Sequence, residues 1–386
     1  MADAHPEAIP AFGSGMYDPY KKRAPDTRRG LFGRLFSTNS KPAPPVDAAG
    51  SLTRSMAEGL AQGIEQAGAG ADDVLLFHTA DGATYRAVAA LFERFSPEQL
   101  PQMHICTPYD PVGVMPNRKS PKEVADAIHA LEEKSLLGRR IHLYGENSDL
   151  ALHLAELWEV PVSPLPLPVN EQEDEPEEEC IRFRREILGV SEDSFVIASL
   201  GAARLEKGFN LFPDIIRRCF EFAGSAEYPG TDSTKIHFAL HASPQIIGRH
   251  PVITATLEKL EAYGPDRVTL LENPLSDKEY QTLLHAADAI CLPYKVEDYR
   301  VRGSGVVTEA VAARKFLVAT QGSYPGRVAE AFLGGTGTTP MEMAKSLLSV
   351  IAERDARRPQ LDQAVAAYRA EHNAEAYVTR MVGVGG

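Results

Sequence analysis

Residues 299–320 read YRVRGSGVVTEAVAARKFLVAT, and their reading decides the fold. Arg300 to Ser304 is a short basic loop with a glycine inside it. From Gly305 to Arg314, Val306, Val307, Ala310 and Val311 recur at helical spacing, which predicts a helix with one buried face. Lys315 to Thr320 then reads as a buried strand. A glycine-bearing loop that opens a helix turns backbone N–H groups and the positive helix end toward an anion, typically a phosphate. Here those N–H groups belong to Ser304, Gly305 and Val306. Glu309, one turn into the helix, is placed to accept hydrogen bonds from a sugar's hydroxyls. The plainer reading of the same residues is an ordinary strand–loop–helix connection with a solvent-facing glutamate.

Two segments upstream extend the pattern. Phe195 to Leu200 is a continuous apolar strand, followed by Gly201-Ala202-Ala203-Arg204-Leu205-Glu206-Lys207-Gly208. Two cations beside the C-terminal end of a strand suit a diphosphate leaving group. Taken alone, they also suit two surface cations. Further on, Ser276 and Glu279 have the spacing of a capping box, and Tyr280, Leu283, Leu284 and Ala287 continue at helical spacing. That helix runs into the short buried strand around Ala289 to Pro293.

These three segments, in this order and at this spacing, resemble the C-terminal half of retaining GT-B-fold glycosyltransferases of the large family 4 group. The resemblance implies two doubly wound, parallel-sheet α/β domains facing a cleft. In such enzymes two glutamates, with seven residues between them, flank a loop that opens a helix. Glu309-Ala310-Val311-Ala312 matches the second half of that pattern, whose glutamate binds the ribose of a nucleotide sugar. The first glutamate contacts the donor sugar; its position here is Val301. Gly201 to Gly208 is similar to a family stretch whose Arg and Lys clamp the donor diphosphate, with the arginine at 204 instead of 202. His78, at the end of a strand, matches a histidine that faces the donor sugar across the cleft; a lone histidine is otherwise structural. The resemblance thus implies Lys207, Arg204 and His78 as catalytic residues and Gly201, Ser304, Gly305, Val306 and Glu309 as nucleotide-sugar ligands. It implies sugar transfer from a nucleotide-diphosphate donor to a glycan or lipid-linked acceptor hydroxyl, without a metal and without a side-chain nucleophile. A glycosyltransferase-like subunit that binds nucleotide sugar but turns it over poorly is the alternative that Val301 raises.

Composition agrees with a mostly globular chain. Of 386 residues, 44% are hydrophobic and 24% charged, enough for two α/β cores. The net charge of −13 argues against general nucleic-acid binding. Four scattered cysteines without metal-site spacing, and no secretory segment, suggest a cytoplasmic protein. Residues 1–50 read as a loosely attached tail holding seven prolines. Within it, the basic stretch 21–36 surrounds paired Leu-Phe units and suits either an anionic membrane surface or solvent.

The remaining chain predicts an N-terminal acceptor-side domain over 51–168, with strands at 74–78, 102–106 and 140–144 and helices between. This domain looks reduced relative to the usual GT-B plan. Tyr109, Asp110 and Arg118 follow its second strand and are weaker acceptor-side candidates, whereas His142, inside a strand, reads as a core or edge residue. A Pro-rich exit leads into the acidic linker, 169–180, where residues 171–179 include seven acidic side chains in nine. The nucleotide-binding domain follows over 181–360, with strands near 195–200, 236–240, 267–271, 289–293 and 316–320. His241-Ala242-Ser243 stands where relatives carry glycines. Helices are expected at 341–353 and 363–381, with 361–386 crossing back to the first domain.

Overall fold

The computed structural model describes residues 47–109, 121–169, 176–244 and 250–383. The basic stretch 21–36, Asp110, Arg118 and most of the acidic run therefore lie outside the described residues.

The chain enters through α1 (Asp47–Ala67) and forms β1 (Val74–Phe77), α2 (Gly82–Arg94), β2 (Gln102–Thr107), α3 (Pro121–Glu133), β3 (Ile141–Gly145), α4 (Ser148–Trp158) and β4 (Ser163–Pro164). The four strands are parallel and pair in chain order. Right-handed crossovers between successive neighbours put the connecting helices on one face. There Leu91, Ile128, Leu154 and Trp158 pack with Met103, Ile105 and Leu143. On the other face, Cys106 and Tyr144 meet Tyr377 and Met381 from the end of the chain. His142 is a core residue: it stacks on His104 at 4.7 Å, and His104 Nδ1 lies 2.9 Å from the Tyr144 hydroxyl.

A second sheet follows α5 (Glu177–Glu186). It contains β5 (Phe195–Ser199), α6 (Phe212–Phe222), β6 (Ile236–His241), α7 (Pro251–Glu261), β7 (Val268–Leu271), α8 (Asp277–Ala286) and β8 (Ala289–Leu292). The short α9 (Val296–Tyr299), α10 (Gly305–Ala312), β9 (Phe316–Thr320), α11 (Tyr324–Ala331), β10 (Gly335–Gly337) and α12 (Pro340–Glu371) complete it. The strand order is β10-β9-β8-β5-β6-β7, all parallel. The chain winds outward from β5 to β7, returns through α8, and winds outward again from β8. Strands β5 and β8 are neighbours whose connections leave toward opposite edges. That reversal opens a crevice beyond their C-terminal ends, where α/β sheets bind ligands. The residues that follow β5 are Gly201 to Lys207, and those that follow β8 are Tyr294 to Ser304.

The sequence-based strand positions agree with the observed ones to within a residue at either end. Two short strands, β4 in the Pro-rich exit and β10 among glycines, were not legible. The C-terminal helices differ from expectation. The helices expected at 341–353 and 363–381 are largely one, α12, which continues through Pro359 and stops at Glu371. An internal proline costs about 3 kcal/mol. Buried Leu347 and Leu348 before it and Leu361 and Val365 after it hold one face of the helix against the core. The break falls at His372 and Asn373, not near 361; Asn373 accepts from the Ala376 N–H at 2.8 Å and caps α13 (Ala374–Val382).

Candidate active site

The turn after β5 is built around Gly201, whose φ of 97° lies in the left-handed region. Its N–H donates to Nδ1 of His241 at 3.1 Å. Burial holds the His241 pKa down to about 4, so the ring is neutral and Nδ1 is free to accept. His241 thus fastens the end of β6 to the turn after β5. A Cβ on Gly201 would lie 2.8 Å from Nζ of Lys207, so the missing side chain is the lysine's space.

Lys207 Nζ stands 5.5 Å from the Tyr294 ring centroid, and Arg302 lies 5.0 Å over the Tyr299 ring. The two tyrosines are buried and 4.4 Å apart, a common floor for two cations. Removal from water brings the Lys207 pKa down to about 8; Tyr299 opposes this, while Arg204 and Arg302 add to it. Arg204 pairs with Glu206 at 3.1 Å, yet its Nε–H is buried with no protein acceptor. Three cations therefore gather at the crevice, one with an unused donor.

The start of α10 faces the same crevice. Ser304 adopts extended geometry (φ −153°, ψ 128°), and its side chain makes no cap bond. The first N–H groups of a helix have no intrahelical acceptor, so those of Gly305 and Val306 remain available to an anion. The Val306 side chain itself is buried, with Val307, Ala310 and Val311, against the sheet. Gly305, Thr308 and Glu309 line a cleft of about 520 Å³, and His78 lines it from the first domain. Glu309 accepts from the Tyr280 hydroxyl at 2.5 Å. Burial raises its pKa, and Tyr280 and Lys207 oppose that rise. Asp81 steadies the strand end that carries His78: it caps α2, accepting from Ala83 and Thr84 N–H at 3.0 Å each, a cap worth about 1 kcal/mol.

The structure gathers Gly201, Arg204 and Lys207 beyond β5 and sets Lys207 within electrostatic reach of Glu309. Of the expected ligands, however, only Gly305 and Glu309 line the cleft that His78 borders; Gly201, Arg204, Lys207, Ser304 and Val306 do not. Tyr109 is not among the residues that line the cleft. Val301 is buried in the core of the first domain, so the position of the family's first glutamate does not open toward the cleft. Tyr280, Tyr294, Tyr299, Arg302 and His241 belong to the site and were not assigned to it from the sequence. The strand-end position of Tyr294, the basic loop around Arg302 and the departure from glycine at His241 offered a signal.

Two parallel-sheet α/β domains with this crevice between them constitute the GT-B fold. Comparison with solved structures agrees. The chain is similar to a glycosyltransferase from Rickettsia africae, with a TM-score of 0.63 and 13% identity, over 90% of this chain and 83% of that one. It is similar to the alpha,alpha-trehalose-phosphate synthase of Burkholderia xenovorans in complex with glucose-6-phosphate, with a TM-score of 0.61 and 15% identity, over 86% and 77%. It is also similar to Anabaena HepE in complex with UDP, with a TM-score of 0.60 and 13% identity, over 87% and 81%. No family model and no curated protein sequence matches.

Proposed function

We propose that the protein transfers a sugar from a nucleotide-diphosphate sugar to an acceptor hydroxyl. The observation that carries this reading is the convergence of Lys207, Arg204 and Arg302 on the start of α10, one turn from Glu309. Negative charge grows on the diphosphate as its bond to the sugar breaks. Cations fixed in an enclosed crevice stabilise that charge without reorganisation. The free Nε–H of Arg204 and the uncapped helix start add neutralising donors, so the residues present can hold a diphosphate without a metal ion. Glu309, whose carboxylate Tyr280 orients, would hold the ribose hydroxyls. His78 lines the cleft together with Gly305 and Glu309, and its assignment to the donor sugar rests on the family resemblance. The UDP complex of one structural neighbour and the sugar-phosphate complex of another support this substrate class.

Retention of configuration, a glycan or lipid-linked acceptor, and a place in envelope polysaccharide assembly complete the proposal. So does a cytoplasmic location with peripheral membrane contact through residues 21–36. Among the described residues, no helix is long and apolar enough to cross a membrane. The buried Val301 favours a second reading, a subunit that binds nucleotide sugar but turns it over slowly. Donor turnover separates the two. Release of nucleoside diphosphate from a panel of nucleotide sugars, with and without acceptor, supports the transferase. Tight binding with no release supports the subunit.

A further inference from the structure

The loop that carries the anion cradle is held by the first domain, through the turn between β3 and α4. Three consecutive attachments are visible. The Arg300 carbonyl accepts from Arg327 of α11 at 2.6 Å, and Arg327 is paired with Asp149 in the first turn of α4 at 2.6 Å. The Val301 carbonyl accepts from Asn147 Nδ2 at 3.1 Å, while the Val301 side chain enters the first domain's core. The Gly303 N–H donates to the Glu146 carboxylate. A Cβ on Gly303 would collide with that carboxylate, so the loop approaches as closely as it does because residue 303 has no side chain. Ser304 and the start of α10 come next.

We propose that Glu146 is a positioning residue for the donor site, fixing loop 300–305 and Arg302 so that the diphosphate cradle is complete only against the first domain. The proposal rests on the function inferred above. The carboxylate is largely buried; among the described residues Gly303 donates to it and Arg302 is the cation that faces it. Cys106 at the end of β2 and Tyr324 on α11 also face it, with Asp149 and Arg327 near Tyr324. Burial raises the Glu146 pKa to about 7, and Gly303 and Arg302 limit the rise. A carboxyl in so dry a place is unfavourable for the fold by itself. What it secures is the backbone position of the residue that precedes the cradle. Glu146 and Gly303 lie more than a hundred and fifty positions apart, in different domains, so the contact forms only when the two domains meet.

The test is calorimetric titration of folded full-length variants with UDP, GDP and ADP, using whichever the wild type binds best. Deuterium exchange over residues 299–305 accompanies it. Glu146→Ala should weaken binding about tenfold, as for a lost charge-assisted hydrogen bond, and speed exchange in the loop. Glu146→Gln keeps an acceptor for Gly303 and should stay within about threefold of wild type, as for an exchange between charged and neutral acceptors. Gly303→Ala, which forces the loop off the carboxylate, should resemble Glu146→Ala and covers the case in which that variant does not fold. Wild-type affinity in Glu146→Ala or Gly303→Ala overturns the proposal, as does a Glu146→Gln variant as impaired as Glu146→Ala. Failure of the wild type to bind any of the three nucleotides overturns the proposed function as well, a result read from the wild type alone.

Discussion

Replacing Lys207 by alanine is the most informative single change. In the structure its ammonium group sits against Gly201 and over Tyr294, enclosed enough that its pKa falls to about 8. At neutral pH it is still mostly charged, and its charge is poorly screened. Such a group interacts weakly with the spread charge of the bound donor and strongly with the diphosphate as it departs. Loss of a preorganised contact of this kind costs roughly 3–4 kcal/mol, or two to three orders of magnitude in kcat. Arg204 and Arg302 remain nearby, which places the expected loss toward the lower end of that range. Ground-state binding should suffer less, because those arginines and the start of α10 still hold the phosphates. The assay is steady-state kinetics with the preferred nucleotide sugar, paired with calorimetric titration of the nucleoside diphosphate and circular dichroism of both proteins. A fall in kcat of roughly a hundredfold or more, with a KM change below about tenfold, supports the reasoning. Unchanged kcat in a folded variant refutes it. A loss confined to KM would show that Lys207 binds the donor without assisting bond cleavage.

Three further outcomes follow from the same geometry. Glu309→Gln should raise the donor's apparent dissociation constant by about 1.5–3 kcal/mol and leave kcat nearly intact, since ribose hydroxyls change little along the reaction; equal losses in kcat would contradict this, and kinetics at saturating donor decides. Diphosphate affinity should be level below pH 8 and fall above it: the depressed Lys207 pKa of about 8 means the cation is present below that value and lost as pH rises through it. Lys207→Ala should abolish that dependence in titrations from pH 7 to 9.5. Deleting residues 1–40 should eliminate salt-sensitive sedimentation with anionic vesicles and leave nucleotide affinity unchanged, because surface attraction is screened within about 8–10 Å at physiological ionic strength; equal sedimentation with neutral vesicles would contradict the electrostatic contact, and no sedimentation with either would point to a solvated tail.

Much of the second domain was legible because its signals are local. The strands at 195–199, 289–292 and 316–320 are short apolar runs ended by polar or turn residues, and buried parallel strands read that way. Ser276 and Glu279 form the capping box that their spacing predicts, with Glu279 N–H donating to Ser276 Oγ at 3.3 Å. Lys207 and Glu309 were proposed because each stands in a short local motif that resembles a family segment. What escaped was non-local. Tyr280 meets Glu309 across 29 positions, and nothing in the spacing of a helical tyrosine announces that bond. Glu146 carries no local signal, because its meaning depends on Gly303 in the other domain. The length of α12 was misjudged for a related reason: Pro359 is a local stop signal, overridden by core contacts on both sides of it. Val301 showed from sequence only that a glutamate was missing. Its burial in the first domain's core shows that its backbone is part of how the two domains meet.

The central claim is that a nucleoside diphosphate binds where β5 and β8 part. A crystal structure of the protein grown with the nucleoside diphosphate it binds best tests this most directly. The account predicts the diphosphate within hydrogen-bond distance of Lys207 Nζ, Arg204 Nε and the Gly305 N–H, with the ribose hydroxyls on Glu309. A nucleotide bound elsewhere, with this crevice filled only by water, would contradict it.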